Sequence, residues 1–336
     1  MVVTNPEANQ GVAHVSPHAI IAREAGGPEV FDYVSSETPS PRAGQVLVKV
    51  AAIGVNFIET YQRSGVYKVS YPFTPGGEYA GTVEAIGDGV TGFAVGDRVA
   101  TTEGSKAYAN YTLLDAEKAL PVPANVALDV AGALPLQGIT AHYLVNSSYN
   151  VQPGDTVLTY AGAGGVGLLL IQLLKLRGAT VITTTSTPEK AELARGAGAD
   201  HVLGYDEVPV RVREITGGRG VDVVYDGIGK DTFDGSLESL KIRGTLVLFG
   251  GASGQVPPFD LQRLNAHGSL TVTRPKIADF LLDAEERRWR SGEIFGLVAD
   301  GKLDVRIGAR FPLAEAGAAH AALESRATTG KVILLP

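Results

Sequence analysis

The residues best suited to chemistry lie between 160 and 192, in YAGAGGVGLLLIQLLKLRGATVITTTSTPEKAE. Gly162, Gly164 and Gly167 fit G-x-G-x-x-G, with Gly165 and Val166 inside it, directly after an apolar β-branched run and at the head of an apolar helical pattern. In that context each glycine has a physical task. The first permits a tight turn, the second lets backbone approach a pyrophosphate, and the third lets helix and strand pack closely. The N–H groups at the helix start then face the phosphates of a dinucleotide. A site for NAD adds a carboxylate about 20 residues on, where it holds the ribose hydroxyls. Here that region reads Thr184, Thr185, Ser186, Thr187. A carboxylate would repel a 2′-phosphate, small hydroxyls admit it, and Lys190 brings a positive charge four residues after Ser186, so the pattern selects NADPH. Ser186-x-x-Glu189, with Pro188 inside it, also reads as a capping box for the next helix. Both readings hold together, because a capped helix start still offers N–H groups to phosphate. Taken alone, Lys190 is equally readable as a solvated surface lysine.

Such a loop needs a parallel sheet behind it. DTVLTYA (155–161), ATVITTT (179–185), ADHVLGY (199–205), VDVVYD (221–226), GTLVLFG (244–250) and GSLTVTR (268–274) are six strand candidates separated by helical patterns. That rhythm is the one of βαβ units. Residues from about 18 to 136 differ: QVLVKVAAIGV and YAGTVEAIG are strand-like runs broken by SPRAG, TPGG, GDGVTG and VGDRV, as in an irregular β-rich domain. From about 280 a charged helix, LLDAEERRWRSGEIFGLVADGKL, precedes AAHAALESRATTGKVILLP, a helix turning into a strand. The isolated KVILLP is expected to return to the first domain and make it discontinuous. The expected division is a poorly ordered tail at 1–17, a β-rich domain of 18–136 and 280–336, and a dinucleotide-binding domain of 137–279. A cleft between the two is the default ligand site.

Composition narrows the classes. A chain of 336 residues with 44% hydrophobic and 19% charged residues suits about two globular domains. The net charge of -7 disfavours a generic nucleic-acid binder, which rests on concentrated positive charge. With no cysteine, disulfides, thiol nucleophiles and thiolate metal sites are excluded at once, and a soluble cytoplasmic protein is the simplest expectation. The opening MVVTNPEANQGVAHVSPHA lacks a basic start followed by an apolar run, so it does not read as a secretory signal. The apolar stretch from Val166 to Leu174 is about half a membrane span and is closed by Lys175 and Arg177, which suits a helix buried against a sheet.

TPGGEYAGTVEAIG (74–87) and VGDRVA (95–100) resemble the medium-chain dehydrogenase/reductase family, whose catalytic domain carries a related G-H-E-x-x-G stretch. In its zinc-dependent members that histidine and an upstream cysteine bind the catalytic metal. Here Gly77 takes the histidine position and Asn56 falls where the cysteine would be. No metal site is therefore expected. Of the six histidines only His14 and His18 have helical ligand spacing, and both sit in the tail. Glu78 remains from the motif and reads best as a buried structural carboxylate. Without a Lewis acid, reduction by hydride donation is favoured over alcohol oxidation.

The resemblance sharpens to the zinc-free quinone oxidoreductase branch, zeta-crystallin relatives included, through GVNFIETYQRSGVY, AGAGGVG, VVYDGIGKDTF, VTRP and ESRATTGK. It covers nearly the whole chain from about residue 18 and implies a Rossmann doubly wound parallel six-stranded sheet beside a discontinuous β-rich GroES-like catalytic domain. By that resemblance Asn56, Tyr61 and Tyr67 line the substrate and nicotinamide pocket, with Thr140 and Tyr143 near the cofactor. Ser186, Lys190 and Tyr205 surround the 2′-phosphate, Phe249, Gly250 and Val272 border the nicotinamide, and Arg326 closes from the C-terminal segment. Ordinary half-buried packing is the alternative account of the tyrosines. Two departures from the branch stand out: the N-terminal tail exceeds the usual start, and LPLQGIT differs from the residues expected before Thr140.

The implied activity is NADPH-dependent quinone reduction. An alkenal or enone double-bond reductase is the nearest alternative, and a crystallin-like or RNA-binding relative with little turnover is a third. Members of the branch pair the strand equivalent to Leu270–Thr273 across a two-fold axis, so a homodimer is expected through that edge.

Overall fold

The computed structural model describes residues 16–325 and 327–336. The expected tail falls outside these residues except for Ser16 and Pro17, and Arg326 falls outside them as well.

Fifteen strands are described, in three sheets. β1 (His18–Ala22) and β2 (Phe31–Ser35) form an antiparallel pair. A seven-stranded sheet contains β3 (Gln45–Val55), β4 (Tyr79–Ile86), β5 (Arg98–Thr101), β6 (Tyr111–Asp115) and β7 (Leu120–Pro121), and the C-terminal strands β14 (Ile307–Pro312) and β15 (Lys331–Leu335) complete it. β15 runs antiparallel to β3, with Val332 opposite Val55. The third sheet holds β8 (Thr156–Thr159), β9 (Thr180–Thr184), β10 (His201–Leu203), β11 (Val221–Asp226), β12 (Leu240–Leu248) and β13 (Thr271–Thr273). Its order is β10-β9-β8-β11-β12-β13, all parallel, and all six strand candidates of the middle of the chain are in it.

Side-chain alternation explains why these runs read as continuously apolar. Leu158, Ile182, Val224 and Leu246 enter one core, while Val157, Val181, Val223 and Val247 enter the other, so both faces of the sheet are covered. The helix Gly165–Leu176 lays Leu169, Leu170, Leu173 and Leu174 into the second of these cores. In this doubly wound arrangement the strand order reverses between β8 and β11, and the crevice beyond their carboxyl ends is where ligands bind in such sheets. A backbone link joins the two large sheets there: Gly330 donates to the Ala163 carbonyl at 3.0 Å and forms a parallel bridge with Gly164.

Candidate active site

The glycine loop leaves β8 and enters the helix Gly165–Leu176 with Gly164 as its cap. Ala161 carries the left-handed turn, at φ 56°, so the task expected of Gly162 belongs to its neighbour. Gly162 instead lies against the Thr183 side chain of β9, which a Cβ would strike. Gly167 does what the motif predicts, since a Cβ there would strike the Ala161 carbonyl and separate helix from strand. At Gly164 a Cβ would meet only the Ala161 carbonyl, 3.2 Å away, and would otherwise project into open space. The backbone is therefore bare where a pyrophosphate would lie, and these residues fit a dinucleotide.

A cleft of about 560 Å³ opens above the loop. Of the predicted residues it brings together Asn56, Gly164, Gly165, Ser186, Lys190 and Tyr205. Lys190 Nζ reaches Ser186 Oγ at 3.5 Å, and the Tyr205 ring stacks on Tyr160 with centroids 6.1 Å apart. β9 ends in buried Thr183 and Thr184, without a carboxylate. The helix Pro188–Gly196 is capped by Thr187, whose side chain accepts from the Lys190 N–H at 3.3 Å. The capping box read from Ser186 is thus off by one residue, and Ser186 stays exposed at the cleft. Asp206, beside Tyr205, also lines the cleft and was not weighed in the sequence.

The other predicted residues lie around this lining. Tyr61 and Tyr67 meet edge to face at 5.5 Å and join the cleft through Phe57, 6.4 Å from Tyr61. Thr140 and Tyr143 are buried on the helix Pro135–Tyr143, where Tyr143 stacks on Phe280 at 4.2 Å. Burial pushes the Tyr143 hydroxyl up to about 12, with Thr140 pulling it back through a hydrogen bond. Phe249 and Gly250 follow β12, packed against Gly227 at the end of β11, and Val272 lies on β13 beside Leu246. A larger hollow of about 760 Å³ lies between Glu37, Arg42, Glu103 and Lys118 and includes none of the predicted residues.

Asn56 heads the helix Phe57–Arg63. Its Nδ2 donates to Glu78 Oε2 at 2.9 Å and to the Gly54 carbonyl at 3.3 Å, while its Oδ1 accepts from Lys331 Nζ at 2.6 Å. Lys331 also donates to Glu78 Oε2 at 2.5 Å, and both side chains are fully buried. The Asn56 N–H donates to Glu59 Oε2 at 2.7 Å. Burial pushes the Glu59 carboxyl up to about 7, against the opposing pull of Lys331. Sequence reading missed Glu59 and Lys331, and it missed Gln137, whose amide packs on Gly165 and lines the cleft. The departure seen in LPLQGIT was the available signal for Gln137. Among the described residues no group of three or more His, Asp or Glu side chains is placed to hold a metal ion.

A doubly wound parallel sheet with a glycine loop, opened against a β-rich partner sheet, defines a dinucleotide-dependent dehydrogenase/reductase. Residues 42–156 match the alcohol dehydrogenase GroES-like domain and residues 165–284 match the zinc-binding dehydrogenase domain. A quinone oxidoreductase of Pseudomonas aeruginosa is 44% identical over 315 residues, 93% of this chain and 97% of that protein. A 2-haloacrylate reductase of a Burkholderia species is 42% identical over 329 residues, 95% of this chain and 98% of that protein. The crystal structure of Escherichia coli quinone oxidoreductase complexed with NADPH superposes with a TM-score of 0.91 at 41% identity, covering 95% of this chain and all of that one. The chain belongs to the medium-chain dehydrogenase/reductase family, in its quinone oxidoreductase branch.

Proposed function

We propose that the protein is an NADPH-dependent quinone oxidoreductase. The observation that carries this reading is the bare glycine cradle opening into one cleft with Ser186 and Lys190, where β9 ends without a carboxylate. The amides at Gly164 to Gly167 would hold the pyrophosphate, and Ser186, Lys190 and Tyr205 the 2′-phosphate. Thr140, Tyr143, Phe249, Gly250 and Val272 would complete the cofactor side of the proposed site. Once bound, the nicotinamide would supply the hydride for reduction of the acceptor. The chain's own part is to orient the two partners and to donate hydrogen bonds to the acceptor oxygen as it gains charge. With the Asn56 amide committed to Gly54 and Glu78, Tyr61 and Tyr67 are the donors proposed for that oxygen, and Asn56 shapes the wall.

A second reading, reduction of a conjugated carbon–carbon double bond, is supported by the 2-haloacrylate reductase relative. NADPH consumption measured side by side with a quinone panel and with enals and 2-haloacrylate separates the two. Binding of NADPH without turnover on either panel would overturn both in favour of a cofactor-binding protein.

The division into a domain of 18–136 with 280–336 and one of 137–279 belongs to this proposal, as does a cytoplasmic location, for which the absence of cysteine is the support. No helix among the described residues is long and apolar enough to cross a membrane. A homodimer through β13 is proposed as well. β13 ends the six-stranded sheet, and Val272 and Thr273 are only half-buried. Its free edge suits pairing with a second copy. Light scattering at micromolar concentration should give twice the 35.0 kDa chain mass, and a monomer mass refutes the dimer.

A further inference from the structure

The ionic cluster beneath Asn56 has no role in the chemistry described so far, yet it is costly to build. Lys331 and Glu78 are 1% and 0% exposed, and burying a pair of charges is stabilising only when its geometry is good and its remaining hydrogen bonds are filled. Here both carboxylate oxygens have partners, and the ammonium has two. Glu78 Oε1 accepts from the Leu136 N–H at 2.7 Å, and its Oε2 accepts from both Lys331 and Asn56.

The arrangement leaves the Asn56 amide one orientation. With Oδ1 on the ammonium and Nδ2 on the carboxylate, each end meets its complement. A flipped amide would set NH2 against NH3+ and oxygen against carboxylate, two buried mismatches at once. The same ammonium stands on the residue after Gly330, and Gly330 is hydrogen-bonded to Ala163 and bridged to Gly164. Thr328, Gly330, Asn56 and Phe57 all line the cleft. Lys331 therefore stands where the acceptor wall, held by its ammonium, meets the C-terminal segment whose backbone holds the glycine loop.

We infer that Lys331 is a positioning residue of the reaction, which acts through Asn56 and through the segment 328–330 to hold the two walls of the cleft in register. The inference rests on the cofactor and acceptor reading given above. Its substrate side is the Asn56 wall, and its cofactor side is the contact of Gly330 with the glycine loop.

Three variants test it: Lys331→Met, Lys331→Arg, and Lys331→Met with Glu78→Gln, the last removing both charges so that no carboxylate is left buried and unpaired. Melting temperature, NADPH dissociation constant by titration, and kcat and KM for a quinone are measured on each. Amide hydrogen exchange of 162–167 and 328–330 is measured on the cofactor-free protein. The double variant should fold, should bind NADPH at least tenfold more weakly than wild type, should lose at least tenfold in kcat/KM, and should exchange faster in both segments together. Lys331→Arg, whose guanidinium can bridge both oxygens, should recover NADPH binding to within a few-fold. A folded double variant with wild-type exchange, or with wild-type NADPH affinity and kcat/KM, overturns the inference. Wild-type protein that reduces neither acceptor class would overturn the functional reading instead, and the exchange data would still decide whether Lys331 couples the two segments.

Discussion

Glu59 should make the protein less stable as pH rises through neutrality. Its carboxyl is 2% exposed and titrates at about 7 rather than at the ordinary 4.5, because burial outweighs the attraction of Lys331. Below pH 4.5 the group is protonated in both the folded and the unfolded chain and contributes no slope. Between 4.5 and about 7 the folded chain keeps a proton that the unfolded chain has lost, so stability falls as pH increases. At 1.36 kcal/mol per pH unit, a separation of about 2.5 units amounts to about 3 kcal/mol, fully developed at about pH 8. Glu59→Gln keeps an oxygen for the Asn56 N–H and removes the titration. Urea unfolding of both proteins at pH 5, 6, 7 and 8 should show the variant gaining on wild type with each step, by about 2.5 kcal/mol over the series. The difference between the two proteins is the quantity to follow, because a chain with two cores need not unfold in one step. Parallel stability curves across this range would refute the argument, since they would mean that Glu59 ionises in the folded chain as readily as in the unfolded one.

His320 should act in the opposite direction. Burial, with Arg63 adding to it, lowers its ring from 6.5 to about 3, so stability should fall as pH drops below 6.5, by about 4–5 kcal/mol at the acid limit, and His320→Gln should remove that slope in acid unfolding curves. Lys190→Ala should weaken NADPH by roughly 1–3 kcal/mol and leave NADH nearly unchanged. Equal losses for the two cofactors in a direct titration would sink the 2′-phosphate assignment. Chelator treatment should leave activity unchanged, and elemental analysis should find well under one zinc per chain. Stoichiometric zinc would mean that His, Asp and Glu alone build a site.

The second half of the chain was legible because its rules are local. A strand buried on both faces, a glycine loop and an apolar helix follow one another within 155–176, and each reads from its own residues. Two misreadings there were also local and small: Thr187 caps where Ser186 was expected, and Ala161 turns where Gly162 was expected. Of the cluster under Asn56, Glu78 was legible as a buried carboxylate, but its pairing was not, because the partners are joined only by the fold. Lys331 meets Glu78 across 253 positions and Asn56 across 275, and a lysine opening the run KVILL carries no local sign that its charge will be buried.

The helix Phe57–Arg63 shows why pattern reading fails at this point in particular. In FIETYQR the apolar Phe57 and Ile58 are 39% and 45% exposed, whereas Glu59, Thr60 and Arg63 are all but buried. Its inward face is fixed by polar contacts: Glu59 accepts from the Asn56 N–H at 2.7 Å, and Arg63 bonds Glu324 at 2.7 Å and the His320 ring at 3.1 Å. Because an arginine can only donate, His320 Nδ1 must accept, which leaves Nε2 carrying the proton toward the Tyr108 hydroxyl at 2.9 Å. The ring is thereby held neutral in one tautomer, which is the state its lowered pKa describes. An ordinary surface helix hides its apolar side. This one turns that side outward, and Phe57 meets the cleft. The polar anchors leave its aromatic residues, Phe57 and Tyr61 with Tyr67 beyond the helix end, on the side where the proposed acceptor would lie, and such a reversal of the usual pattern is expected where a site is paid for elsewhere in the fold.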